Sequence, residues 1–392
     1  MDVSRYIDTT ELKFEVEFIT PTFLGGADGN AELRTAPFKN LIRRWWRIAN
    51  GHLAPEELWK KESDLFGSTE KNPDIVAENR VRKSSEKETE IFGKSKVRVN
   101  ILDTSNCSIT TQKKLNFPDQ KIEHPEVHKR IEVETYLGMG PVFWNKNLKQ
   151  QEYKVNYIQP GSKIDMSLFI PKNERENIIY VLSLIKYFGT IGSRSRNGWG
   201  SININPKENT AGTKFELVKL KDIELIDYTN IFNEKSKAYP HGIGKNQKGI
   251  LCWETPLRTT WQECMTDLAG TYLDIRMAFK FTKTDKQKLE ARHLLGYPVT
   301  HHGASIWDYE RQSTDKMKKE ESKKINTRLP SQLILKVIRK GTNFSGLILH
   351  IPNLIPLKGF TPKEQKDIWK FIHDKLDHNK LKRFENISGG TK

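Results

Sequence analysis

Cysteine is scarce in this chain. There are three in 392 residues, Cys107, Cys252 and Cys264, and no two stand in CxxC spacing. That excludes a disulfide framework and a zinc ribbon. Long apolar runs are missing too: none approaches the ~18 residues a membrane helix needs. Met1 to Phe14 carries charges where a signal peptide would be apolar. The expectation is a protein of the reducing cytoplasm that does not enter a membrane. Glycine motifs for nucleotides are absent, with no GxxxxGK[ST] and no GxGxxG, and Lys245 after Gly242-Ile243-Gly244 lacks the Walker spacing. Histidine gives no metal site. His124 and His128 have i, i+4 spacing but Pro125 lies between them, and His293, His301 and His302 lack a third ligand on a fixed element. Neither a metal nor a cofactor is expected.

What is present is charge of one sign. Lys and Arg number 65 against 49 Asp and Glu, a net +16. An excess of that size suits a polyanionic partner, with nucleic acid foremost; surface charge serving solubility alone is the plain alternative. Hydrophobic residues make up 36% and aromatics 10%, enough to fill a core, while a mean hydropathy of -0.66 implies large polar loops. The length suits two domains.

Phe14, Val16 and Phe18 alternate with Glu15 and Glu17, the period of a half-buried strand ended by Pro21. A glycine-bearing loop, Leu24 to Asn30, leads to a helix over Pro37 to Asn50. Phe38, Leu41, Ile42, Trp45, Ile48 and Ala49 fall on one side of it. Lys39, Arg43, Arg44, Trp46 and Arg47 fall on the other. A polar stretch runs to about Lys94, and its charge-rich middle, Glu78 to Glu90, is expected to be mobile. Val97, Val99 and Ile101 mark a second strand with Arg98 on its polar face. Residues 103–160 read as a long insertion with a sharp turn at Tyr136 to Pro141. Ile164, Met166 and Leu168 mark a third strand. Asn173 and Glu176 have capping-box spacing and open a helix that Gly189 closes. The loop 189–200 leads into a strand at Ser201 to Ile204.

The order strand, helix, strand, strand, helix, strand is ferredoxin-like, or RRM-like. The second half is a fainter copy. A strand is expected at Phe215 and Leu217 and a helix over Thr260 to Met277. Strands at Gln332 to Arg339 and Phe344 to Ile351 flank a hairpin turn, and Thr361, Pro362 and Glu364 open a last helix. The chain is therefore read as α+β, two ferredoxin-like units with long insertions. The boundary is placed near residues 206–213, giving domains 1–208 and 209–392. No short-period repeat is seen.

Two constellations carry chemistry. The first is the basic helix face: Lys39, Arg43 and Arg47 suit phosphates, and an exposed Trp46 would stack a base. A solvated face with Trp46 under a neighbouring loop is the alternative. The second is the loop 189–200, where Gly192, Arg194, Arg196 and Asn197 lie among four glycines. Glycines let backbone approach a phosphate, turn amides form anion nests, and arginine adds a planar fork; a turn needing glycine only for its angles is the alternative. Arg34, Arg98 and Arg328 are second-line RNA contacts. The basic run Lys316 to Arg328 is interrupted by Glu320 and Glu321 and reads equally as a solvated linker. Asp28 is a weak catalytic candidate, because Asp-Gly is ordinary turn chemistry.

Taken together, several runs resemble the RAMP superfamily of CRISPR proteins, and within it the first RAMP subunit of Cmr, the type III-B effector complex. They are Thr20-Pro21, Phe23-Leu24-Gly25-Gly26-Ala27-Asp28, Glu32-Leu33-Arg34, Phe38-Lys39, Arg43-Arg44-Trp45-Trp46-Arg47, Leu65-Phe66-Gly67-Ser68 and Ser95-Lys96-Val97. The run from Gly192 to Ser201 is similar to the glycine-rich loop that defines these proteins, and Leu295-Gly296-Tyr297-Pro298-Val299 and Arg328-Leu329-Pro330-Ser331 add to the match. The resemblance covers most of residues 14–204 and patches of 290–340. Residues 103–160 and 221–250 match nothing. It implies a tandem ferredoxin-like subunit near the 3′ end of the guide RNA, at the end of a filament of RAMP subunits. Its partners would be guide RNA, target RNA and the other RAMP subunits. In such complexes target cleavage belongs to a different, repeated subunit, so the expectation is a non-enzyme. Asp28 falls where an aspartate acts in that repeated subunit, which keeps a metal-dependent RAMP endoribonuclease, using Asp28 or a histidine, as the second reading. A capping subunit making mainly protein contacts is the third.

Overall fold

The computed structural model describes residues 8–26, 30–68, 94–110, 120–126, 128–148, 150–233, 242–281, 289–296, 329–355, 360–379 and 381–385. Asp28, Glu78 to Glu90, His301, His302 and Lys316 to Arg328 lie outside them.

In strand β1 (Thr9–Phe18), alternation sends Leu12, Phe14, Val16 and Phe18 to one face. Helix α1 (Thr35–Ala49) follows, burying Phe38, Leu41, Ile42 and Trp45. A second helix, α2 (Pro55–Phe66), stands where the sequence reading had only a polar stretch. Its signals were ordinary ones: Pro55 at the start, Glu56 and Glu57 in the first turn, Gly67 at the stop. Strand β2 (Arg98–Asp103) enters the insertion. That segment holds the short helix α3 (Val133–Gly138) and a hairpin of β3 (Val142–Asn145) with β4 (Gln150–Tyr153).

The chain returns in β5 (Lys163–Pro171), α4 (Arg175–Phe188) and β6 (Ile202–Lys207). The expected capping box at Asn173 does not form. A 3-10 turn over Lys172–Glu174 precedes α4, whose N-cap is Glu174 with no side-chain bond.

The four strands run β6-β1-β5-β2, all antiparallel. With the sequence order β1-α1-β2-β5-α4-β6, this is the ferredoxin-like arrangement. Helices α1 and α4 cover one face, where Ile178, Leu182, Ile185 and Phe188 of α4 join Met166, Leu168, Ile202 and Ile204. The other face is polar and internally paired. Lys163 donates to Glu15 at 3.0 Å and Lys207 to Asp165 at 2.6 Å.

The second half repeats the path. It comprises β7 (Cys252–Glu254), α5 (Trp261–Met277), β8 (Leu333–Lys340), β9 (Asn343–His350), α6 (Pro362–His378) and β10 (Lys382–Arg383), with strand order β8-β9-β7-β10. The strand expected at Phe215 and Leu217 is irregular chain; the opening strand is β7, three buried or half-buried residues. Thr260 and Thr361 cap α5 and α6 through complete capping boxes.

The halves are joined at β8. The Leu335 amide donates to the Arg196 carbonyl at 2.9 Å, and the Val337 amide to the Ser201 hydroxyl at 2.9 Å. Lys336 is 2% exposed, and its ammonium donates to the carbonyls of Ile185 and Lys186 at 3.1 and 2.7 Å. A cation on the final carbonyls of α4 meets the negative end of that helix dipole. Burial and the nearby Lys186 still push the Lys336 pKa well down.

Candidate nucleic-acid interface

Strand alternation decides where the loops of the first unit meet. In a ferredoxin-like unit the connections β1–α1, β2–β5 and α4–β6 all leave from one end of the sheet. Here those are residues 19–34, the insertion and the glycine loop. They touch accordingly. The Ser193 amide donates to the Phe23 carbonyl at 2.9 Å, the Gly200 amide to Pro21 at 3.0 Å, and Asn197 Nδ2 to Leu137 at 2.9 Å.

The glycines of the loop serve this close contact. Gly200 has φ +64, and a Cβ there would lie 1.8 Å from the Ile191 carbonyl oxygen. Gly192, at φ +91, approaches the Phe23 carbonyl in the same way, so a Cβ would sit 2.6 Å from it. Several amides expected to form an anion nest are thus engaged by neighbouring backbone. The chemistry of the loop falls to its arginines.

Arg196 is largely withdrawn from water, and its Nη1 donates to the Ser331 carbonyl. Desolvation, then the like charge of Arg44, bring its pKa down to about 10. Arg44 is partly buried on α1, and desolvation lowers its pKa as well. Among the described residues Arg44 has no hydrogen bond or ion pair, and its charge is felt at Arg196. Both groups stay protonated at neutral pH. Two partly desolvated guanidinium groups, one sensing the other's like charge and neither paired with a carboxylate among the described residues, are a place where a phosphate would be favoured.

Helix and loop are linked by charge, through a residue the sequence reading passed over. Arg44 sits at the flank of the apolar face of α1, beside Ile48, where a packed neighbour decides its surroundings. Arg43 and Arg47, the expected phosphate ligands, occupy the middle of the outer face, and α2 covers it. Glu62 of α2 is 3% exposed and accepts from both: from Arg43 Nε, and from Arg47 Nε at 2.6 Å. Their charge is largely spent inside the protein. Lys39, one turn before Arg43, is half-buried; burial and then Arg43 lower its pKa, and it makes no hydrogen bond or ion pair among the described residues.

Trp46 requires correction. It is 1% exposed, packed edge-on against Phe66 of α2 at 5.9 Å between centroids. It is a core residue and offers no ring to a base. The helix missed in the sequence is what buries it.

Arg194 adopts φ 57 with an exposed side chain lying against Gly140, whose Cβ position would be 3.2 Å from Nη2. It therefore stands where the loop meets the insertion. Arg34 donates to the Gly25 carbonyl at 2.8 Å and closes the loop after β1. Arg98 lies on the open face of the sheet, 5.0 Å from the Phe169 ring centroid, opposite the face that α1 covers. It is not brought together with Arg44. His293 is 2% exposed and accepts from the Glu290 amide at 2.8 Å, a structural role. Among the described residues no three His, Cys, Asp or Glu side chains group as metal ligands, and no helix is long and apolar enough to cross a membrane.

Residues 15–203 match the family model of the RAMP superfamily. Among solved structures, Cmr1 from Pyrococcus furiosus in its apo form aligns over 95% of this chain and 98% of its own at 15% identity, with a TM-score of 0.43. A chain of type III-B Cmr-beta bound to cognate target RNA aligns over 94% and 100% at 12% identity, with a TM-score of 0.41. A chain of the same assembly with target RNA and AMPPnP in the presence of single-stranded DNA aligns over 94% and 98% at 13% identity, with a TM-score of 0.42. No curated protein matches.

Proposed function

We propose, from the premise that residues 15–203 match the RAMP superfamily, that this chain is an RNA-binding subunit of a type III-B CRISPR effector, acting in antiviral defence. It holds guide RNA, target RNA or both near the guide 3′ end, and sits beside other RAMP subunits. Residues 1–208 form its RAMP domain and 209–392 a diverged copy.

The observation that carries the reading is the pair Arg44 and Arg196. Two cations from separate elements, withdrawn from water and lacking a carboxylate, favour a ligand that brings its own negative charge. A phosphodiester does so repeatedly, and the +16 chain steers it in. Lys39 on α1 and Arg194 in the loop add positive charge to the same two elements. Sequence is read by pairing between guide and target, so the protein needs only to hold a backbone. The test is a titration of the full chain with labelled single-stranded RNA across a salt series. Arg44→Ala and Arg196→Ala each weaken binding roughly tenfold and lower the salt slope by about one. Unchanged slopes in both variants defeat the reading. Cleavage of that RNA, abolished by EDTA, would put a nuclease in its place.

A further inference from the structure

The insertion presents a ring that the sequence reading did not single out. Trp144 is 48% exposed at the outer part of the β3–β4 hairpin. The other tryptophans among the described residues are buried or half-buried; Trp45, Trp46, Trp199, Trp253 and Trp369 are each at most 1% exposed. The same segment also exposes Met139, which bridges to Val142, and Leu148 in the hairpin turn, at 56% and 59%, so Trp144 is part of an apolar surface and not a lone ring.

Its direction follows from strand alternation. Val142, two residues earlier on the same face, is fully buried, and its Cγ2 would lie 2.7 Å from a Cβ on Gly138. The same Cβ would lie 3.2 Å from Trp199 Nε1, so Val142 and the glycine loop crowd one point. Opposite Val142, Tyr153 stacks on Phe23 at 5.9 Å between centroids. This hairpin face therefore turns toward the glycine-loop end of the first unit. Trp144 continues it about 7 Å further out, beyond the packed part of the hairpin.

The hairpin turn beside the ring is fixed by its own bonds. Asn145 Oδ1 accepts from the amides of Asn147 and Leu148 at 3.0 and 3.2 Å, and its Nδ2 donates to Glu152 at 3.0 Å. The surrounding charge is positive: Lys146 and Lys154 are exposed, and Arg194 lies at the hairpin base. Of the nearby acids, Glu152 is bonded within the hairpin by Asn145 and Gln150, and Glu134, beside Tyr153, is buried.

We propose that Trp144 is a base-stacking platform for the single-stranded RNA whose phosphates Arg44 and Arg196 hold. The proposal rests on the RNA reading above and adds a second, non-ionic contact to it. Stacking tolerates any base, as a subunit that leaves sequence to guide–target pairing requires.

The test uses the full chain, a labelled oligouridine, and a strand of the same length without bases. Trp144→Ala weakens oligouridine binding about tenfold with the salt slope unchanged, because no counterion is involved. Trp144→Phe recovers most of the loss. On the abasic strand, wild type and Trp144→Ala bind alike. Equal oligouridine affinity of wild type and Trp144→Ala overturns the stacking role while the Arg44 and Arg196 variants still judge the RNA reading. A loss equally large on the abasic strand also overturns it, and so does unchanged RNA binding with loss of a protein neighbour from the assembled complex, which would make the hairpin a protein-docking element.

Discussion

The two halves of this molecule follow the same path with different fittings. In the second unit the connections equivalent to the functional end of the first are stripped down. β8 and β9 join through Gly341 and Thr342 alone, and α6 reaches β10 across residues 379–381. In the first unit the same two places carry the insertion and the glycine loop. Polar groups are distributed the opposite way. The first unit keeps desolvated cations near its loops, whereas the second ties polar groups into its core. His350 Nε2 donates to Gln332 Oε1 at 3.0 Å, and this orientation leaves His350 Nδ1 to accept from His373 Nε2 at 2.9 Å. At this end one copy of the fold carries long connections and desolvated arginines, and the other short connections over a core of bonded polar groups.

The widest separation is expected from glycine. Gly200→Ala forces a Cβ onto the Ile191 carbonyl at positive φ and should cost roughly 3 kcal/mol or more. Gly341→Ala, with φ +62 and nothing within 4 Å, should cost about 1 kcal/mol. Urea melts of the two variants compare them, and equal losses would break the contrast.

Next comes Glu62→Gln. Removing the carboxylate shared by Arg43 and Arg47 should cost about 2 kcal/mol of stability, discounted for the partial exposure of both arginines. It should also tighten single-stranded RNA binding several-fold with a steeper salt slope, since two guanidinium groups are released. Weaker binding would mean that the outer stripe of α1 is not available to RNA even when freed.

Acid probes the second unit. Burial, and then Arg383, hold His373 down to about 3; burial, and then His373, hold His350 well below its usual value. Both are neutral when folded, while the unfolded chain takes up protons from about pH 6.5 downward. Their contribution is thus intact above that pH and lost as pH falls toward the folded values, by about 1.4 kcal/mol per pH unit per histidine. Urea melts between about pH 6.5 and 5 measure it. A flat profile contradicts the buried neutral pair.

The smallest effect belongs to Trp46→Phe. Trp46 Nε1 has no hydrogen-bond partner to lose, so about 1 kcal/mol of packing goes and RNA affinity stays put. A drop in affinity at unchanged stability would return this ring to the binding surface.

Much of the architecture was legible in the sequence because long periodic segments carry it. β1, α1, β5, α4, the β8–β9 hairpin and the capped helices α5 and α6 all advertise period and punctuation. The short β7 does not. Three residues show no period, and the alternating Phe215 and Leu217 drew the assignment instead. The site was half legible. Charge type and loop composition pointed to α1 and residues 189–200, but a helical wheel cannot say which neighbour covers which stripe. The unrecognised α2 decided that, claiming Arg43, Arg47 and Trp46 and leaving Arg44. Trp144 gave no sequence signal, since one aromatic in an unmatched insertion looks the same buried or open.

Arg196 belongs to two systems at once. Its side chain feels the like charge of Arg44, while its carbonyl and guanidinium fasten to Leu335 and Ser331 of the second unit. Any rotation of one half against the other drags that guanidinium with it. On the proposed reading, grip and posture would be geared together: a ligand seated there would splint the joint, and a flexed joint would loosen the seat.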